Sequence, residues 1–302
     1  MRISFDEVRK NKIKSFILVS LFIILIGLIG GVIGFYYNNM YLGLIIAMGF
    51  SLIYSLIAYS QGGNMVLKLT GAKPVTKREY PYLYHTIEGL AVAAGIKPPK
   101  AYVIEDEAMN AFATGTEPDN AAIAVTTGLL KKLNRQELEG VVAHEMAHIK
   151  NYDIRFMILT TVLVGIISLL SHFMLRMFFY GGGRNMPKNP RVALPLIIVM
   201  VILVILAPIF SQMIKLAISR KREYMADATG AILTRYPPGL ASALRKIGKD
   251  TKQLKAANSS NAHLFIYPPF KNKRKKKKKR SFKGLFSTHP PIEERISRLE
   301  QM

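Results

Sequence analysis

Apolar and polar positions in this chain separate first on the scale of tens of residues. Four apolar stretches come close to or exceed the ~20 residues that a helix needs to cross a bilayer: Phe16 to Phe35, Leu42 to Tyr59, Met157 to Tyr180 and Ala193 to Ile218. They fall into two pairs, which predicts about four transmembrane helices arranged as two hairpins. The third stretch is interrupted mainly by Ser, Thr, His172 and Arg176, and the fourth carries Pro208, which predicts a kink. The first run is too long for a cleaved signal peptide and a second follows at once, so a retained anchor is expected.

Between the hairpins the period shortens. Pro81 to Ala94 reads as a helix with proline in its first turn, Gly95 as its stop and Pro98-Pro99 as a break. Ala101 to Ile104, Ala111 to Thr114 and Ala121 to Thr126 read as short strands, the last two separated by the polar turn Gly115 to Asn120. A small sheet of this kind presents an edge strand with which an extended peptide can pair. Asn134 followed by Glu137 predicts a capping box, and Leu138, Val141, Val142, Ala143 and Ala147 make the helix behind it apolar enough to be buried.

That buried helix carries His144, Glu145 and His148 in the pattern H-E-x-x-H. Residues four apart lie about 40° apart on one helix face and ~6 Å along its axis, so both imidazoles can reach one ion. Glu145 then faces the water that the ion would hold, which is the arrangement of a zinc hydrolase. The chain has no cysteine, so any zinc ligands are His or carboxylate.

A catalytic zinc takes three protein ligands and keeps a position open for water. Glu223, in the run Ser219 to Asp227 where the fourth span meets basic sequence, is the candidate third ligand. Asp227, one turn further along the same face, is placed to accept the outer N–H of a ligating histidine. Nearly all of the chain between His148 and Glu223 is the second hairpin, whose antiparallel helices would bring the two halves of the site side by side. His85 and His172 read as packing or polar-contact residues.

Half of the 302 residues are apolar and mean hydropathy is +0.20, yet the formal charge is +23. A membrane protein with basic extramembrane parts accounts for both. Arg2, Arg9, Lys10, Lys12 and Lys14 precede the first span, whereas the Tyr36 to Tyr41 link is uncharged, so the N-terminus is expected in the cytoplasm. Arg184, Lys188 and Arg191 are discordant, since they would lie outside. The 22 basic against 6 acidic residues from Lys215 onward outweigh them. Lys271 to Arg280 holds nine basic residues in ten within a predicted flexible insertion, about residues 251–283. Anionic lipid headgroups are its expected partner, and nucleic acid is not, because it lacks interleaved aromatics. No phosphate-binding glycine loop appears, which argues against ATP-driven unfolding by this chain.

The run His144 to Asp153, the box Glu223 to Asp227, Asn110-Ala111-Phe112-Ala113 and Thr288-His289-Pro290 together resemble the HtpX family of membrane zinc metalloproteases, which is related to the CAAX prenyl endopeptidases. The resemblance runs nearly end to end and departs mainly between Thr251 and Lys283. It implies an α-helical integral membrane protein with an α+β, zincin-like (gluzincin-type) catalytic domain facing the cytoplasm. It also implies zinc on His144, His148 and Glu223, Glu145 as general base, Asp227 as orienter, Asn110 as a substrate-positioning residue and His289 on the oxyanion side. The expected divisions are a hairpin over 1–60, a first catalytic half over 61–155, a second hairpin over 156–218 and a second catalytic half over 219–302. Peptide or protein substrates follow, with misfolded membrane proteins as the implied class. A narrow CAAX-type processing protease and a non-catalytic membrane scaffold are the alternatives.

Overall fold

We describe a computed structural model of the chain, covering residues 2–36, 38–180, 189–190, 193–194, 197–199, 201–202, 220–258, 261–269 and 290–302. Most of the fourth predicted span, with Pro208, and the basic run Lys271 to Arg280 lie outside the described residues, as does His289. Helices α1 (Arg2–Tyr36) and α2 (Met40–Leu69) form an antiparallel hairpin turned at Asn38 and Asn39. Both are long and apolar enough to cross a membrane, and they present Leu28, Ile45, Phe50 and Leu56, each more than half exposed, to their surroundings. This is a helical membrane protein with a small mixed sheet.

Each of these helices outruns the apolar stretch that announces it. The first starts at Arg2 rather than near Phe16, and the second continues beyond Tyr59 to Leu69. The extra turns are held by tertiary packing, since Val66 and Leu67 are buried in the same cluster as Phe112 and Ala124. Hydrophobic run length marks where lipid would begin and end, while burial against the sheet decides where the helix does.

Helix α3 (Pro81–Ala94) starts with proline and stops at Gly95, which takes the left-handed φ of 68° that the cap requires. Four strands follow the order β1-β2-β4-β3, with β2 (Lys100–Ile104) parallel to β4 (Ala122–Thr126), and β3 (Ala111–Thr114) antiparallel to β4 at one edge. Strand β1 (Lys73–Pro74), at the other edge, is too short and too proline-bound to leave a periodic signal. Side chains alternate across the sheet. Ala111, Ala113, Ile123 and Val125 join one core with Ile87, Val142 and Leu244, while Phe112, Ala122 and Ala124 join the other with Ala58, Phe156 and Leu159.

After the short α4 (Thr127–Lys132), α5 (Arg135–Lys150) carries the H-E-x-x-H residues. The expected capping box is present: Asn134 Oδ1 accepts from the Glu137 backbone N–H, and Glu137 Oε2 from that of Asn134. Glu137 also accepts from Ser242 Oγ and Lys246 Nζ, each at 2.7 Å. Both donors lie on α8 (Pro237–Lys249), so one carboxylate caps α5 and ties down α8. The chain turns sharply at Tyr152, in the left-handed region with φ 58°, before α6 (Asp153–Tyr180). Helices α7 (Arg220–Thr234) and α9 (Ile292–Glu300) complete the described elements.

Burial opposes the charge on Glu137, but the bonds from Lys246, Ser242 and Asn134 win and lower its pKa below 4.5. Its contribution is therefore complete above the ordinary carboxylate pKa and lost as pH falls through the lowered one. Glu137→Gln should destabilise by about 2 kcal/mol at pH 7. Thermal melts of detergent-solubilised wild type and variant should converge as pH falls through the lowered pKa of Glu137, below which the wild-type group is also neutral.

Candidate metal centre

His144 and His148 lie one turn apart on α5, 1% and 6% exposed, with their rings edge to face and their Nε2 atoms 3.3 Å apart. From α7, Glu223 brings Oε1 to 3.6 Å from His148 Nε2 and Oε2 to 3.9 Å from His144 Nε2. One ligand atom from each of the three falls within 4.8 Å of the others. A tetrahedral ion with donors at about 2.0–2.1 Å separates them by about 3.3–3.5 Å, so the three atoms are close to the span a zinc-sized ion would set.

The far sides of both rings decide how the near sides are used. Asp227 Oδ1 lies 2.9 Å from His144 Nδ1, and Asp153 Oδ2 lies 2.9 Å from His148 Nδ1. Carboxylates accept, so each Nδ1 keeps its proton and each Nε2 is the nitrogen turned toward Glu223. Two ring nitrogens and a glutamate carboxylate then face one another in a closed pocket that calls for a cation among them, either a second proton on His148 or a metal ion. Burial disfavours a charged His148, yet Asp153, Glu223 and Glu145 together push it up to about 9.

Sequence patterns did not single out two residues of this arrangement. Asp153 follows His148 by five residues, across the Tyr152 corner, where helical spacing no longer applies. Arg295 on α9, 1% exposed, donates Nε to Asp227 Oδ2 at 2.8 Å and Nη2 to Asp227 Oδ1 at 2.7 Å. Burial would raise Asp227, but this guanidinium and His144 hold it well below the usual carboxylate range. Arg295 Nη1 also lies 3.4 Å from Glu223 Oε2 and donates to the Ile266 carbonyl at 3.1 Å. A buried arginine in a short C-terminal helix gives no local pattern to read.

Glu145 is 2% exposed and faces the backbone N–H of Ala113 on β3. Burial, reinforced by Glu223, raises its pKa despite the two histidines. The edge strand thus lies beside the H-E-x-x-H helix. Asn110 exchanges backbone contact with Thr126, so the backbone groups of Ala111 and Ala113 point to the open edge. That edge is partly taken: Ile266 N–H donates to the Ala111 carbonyl at 2.9 Å, and Asn110 Nδ2 donates to the Tyr267 carbonyl at 3.0 Å. Asn110 itself is buried, its amide turned to Tyr267. His85 is exposed beside Glu88, and His172 lies on α6.

Comparison with known proteins matches residues 77–302 to the model of peptidase family M48. The chain belongs to peptidase family M48. Within that family it is 43% identical over 298 residues to a protease HtpX homolog of Dictyoglomus turgidum, covering 99% of this chain and 94% of that protein. It is 44% identical over 308 residues to another from Listeria monocytogenes serovar 1/2a, covering 99% of each. Among solved structures, S. mikatae Ste24p matches with a TM-score of 0.53 and 19% identity, covering 98% of this chain and 67% of that one, a likeness of fold. The resemblance to HtpX proteases read from four motifs agrees with these matches.

Close approach of α7 to α5 is what delivers the M48 chain's glutamate to its histidines. Gly230 lies one turn beyond Asp227, and a Cβ there would meet the His144 backbone nitrogen at 3.1 Å and the Ala143 carbonyl carbon at 3.3 Å. Gly230→Val should push α7 outward and weaken metal binding at least ~10-fold, read as metal content after dialysis against a chelator. Wild-type metal retention would show that the helix contact does not set the ligand spacing.

Proposed function

We propose that this chain is a zinc-dependent endopeptidase of the cell membrane, with His144, His148 and Glu223 as ligands and Glu145 as general base. The observation that carries it is the convergence of two Nε2 atoms and a carboxylate at 3.3 to 3.9 Å, with both Nδ1 atoms held by carboxylates. The donor set suits zinc, being nitrogen and oxygen without sulfur, and three ligands leave a fourth position for water. Zinc bound there lowers the pKa of that water to about 7 and polarises a peptide carbonyl.

Glu145 takes the proton of the attacking water and returns it to the leaving amine. Its burial supports this role, because a raised carboxyl pKa brings proton uptake closer to neutrality. Asp227 and Asp153 fix the tautomers of the two rings, and Arg295 keeps Asp227 charged. An extended substrate pairs along β3 beside Glu145, with Asn110 positioning it. Ile266 and Tyr267 supply backbone groups to Ala111 and Asn110, where such a peptide would bind, so entry competes with that stretch. His289 is assigned to the oxyanion side by resemblance alone. Misfolded or damaged membrane proteins are the proposed substrates, and anionic lipid the proposed partner of Lys271 to Arg280.

Glu145→Gln should abolish cleavage of an unfolded protein such as casein while zinc stays bound, whereas His144→Ala and Glu223→Ala should lose the metal. In wild type, 1,10-phenanthroline should stop cleavage and added zinc restore it. Casein cut by Glu145→Gln at the wild-type rate would remove the general-base assignment.

The catalytic part is proposed to lie in the cytoplasm, with the Tyr36 to Tyr41 link on the outer side. The chain lacks cysteine, so a single introduced thiol is unique. In intact cells Met40→Cys should react with a membrane-impermeant maleimide and Lys97→Cys should not; the reverse pattern would invert the topology.

A further inference from the structure

The amide of Asn11 lies far from the H-E-x-x-H motif in sequence and next to its support in space. Asn11 sits on α1, among basic residues before the first apolar run, and is 0% exposed. Its Nδ2 donates to Asp153 Oδ1 at 2.7 Å and to the Asn151 carbonyl at 3.1 Å. Asp153 turns its other oxygen, Oδ2, to His148 Nδ1 at 2.9 Å. One amide therefore uses both N–H groups to span the corner between α5 and α6, gripping the last carbonyl of one helix and the first side chain of the next.

We propose that Asn11 is a positioning residue for the metal centre: it fixes the Asp153 carboxylate that orients His148, so the first membrane helix is part of the metal site's support.

Three observations favour this role over simple packing. Asn11 Oδ1 is buried with no hydrogen-bond partner among the described residues, so the position keeps an orphaned carbonyl for the sake of its N–H groups. Asp153 Oδ1 also accepts from Arg222 Nη1, at 3.4 Å, and the Asn11 amide makes the shorter of the two contacts, so its loss leaves the carboxylate with the longer one alone. On the next residue of α1, Lys12 Nζ lies 5.0 Å from the Tyr152 ring centroid, so the same part of α1 also contacts the corner residue itself.

This rests on the metalloprotease assignment above, and the experiment separates the two. Zinc dissociation constants are measured by chelator competition on full-length protein in detergent, alongside thermal melts of the metal-free form. Asn11→Leu is close in volume and removes only the polar contacts. It should bind zinc about 10-fold more weakly, within the range seen when groups behind a ligand are lost. Its metal-free melting temperature should fall modestly, because Asp153 Oδ1 and the Asn151 carbonyl each lose a donor, so the role is read from the zinc affinity of the folded variant and from the double variant. In an Asp153→Ala background, Asn11→Leu should cost nothing further, since a residue that acts through another gives non-additive losses. Ser15→Ala, which removes a bond to the Asn11 carbonyl one turn along α1, should leave zinc affinity unchanged. If Asn11→Leu does not fold, Asn11→Ser, too short to reach Asp153, carries the same expectation. Equal zinc affinity in wild type and variant, or losses that add in the double variant, would overturn the role of Asn11. Wild type that binds no zinc would overturn the metal assignment itself.

Discussion

Two imidazoles and two carboxylates, Glu223 and Glu145, gathered in one buried pocket are the constraint on which the surroundings of the site depend. Such a cluster is unfavourable unless a proton or a metal cation lies among its members, because carboxylates in a low-dielectric site repel strongly. The protein answers with a shell of opposed partners. Asp227 and Asp153 hold the outer nitrogens, Arg295 holds Asp227 with a two-pronged contact, and Arg222 lies near Asp153. The rings and the groups around them come from α1, α5, α6, α7 and α9, so the pocket exists only when both ends of the chain and its middle are folded together.

The mixed sheet separates two environments. One face packs on α5 and α8 and so supports the metal-binding helix, while the other packs on residues of α2 and α6. Because β3 lies at the edge, the strand that touches Glu145 through Ala113 is also the strand an extended chain can reach. Partial occupation of that edge by Ile266 and Tyr267 uses the same backbone chemistry that a substrate would use.

Much of this was legible in the residues. The capping box at Asn134, the stop at Gly95 and the strand at Ala111–Thr114 were marked by local chemistry that needs no tertiary context. The H-E-x-x-H pattern and the E-x-x-x-D box gave the pocket's inner groups because helical spacing alone places them. What escaped was whatever depended on non-local contact. Helix α2 runs on to Leu69 because the sheet buries its last turns, and Arg295 matters because α9 docks beside Asp227. Asp153 lies past a corner where period 3.6 ends, and Asn11 reads as one more polar residue in a basic stretch. Neither announces a partner.

Arg155 shows what that corner brings with it. Its guanidinium bonds the Thr116 carbonyl and Glu117 in the turn after β3, stacks at 5.0 Å on the Tyr152 ring and lies 5.4 Å from the ring of Tyr59 on α2. One cation thereby joins the corner before α6, the second apolar helix and the turn after the edge strand through direct contacts. A substitution at this single position would loosen all three at once.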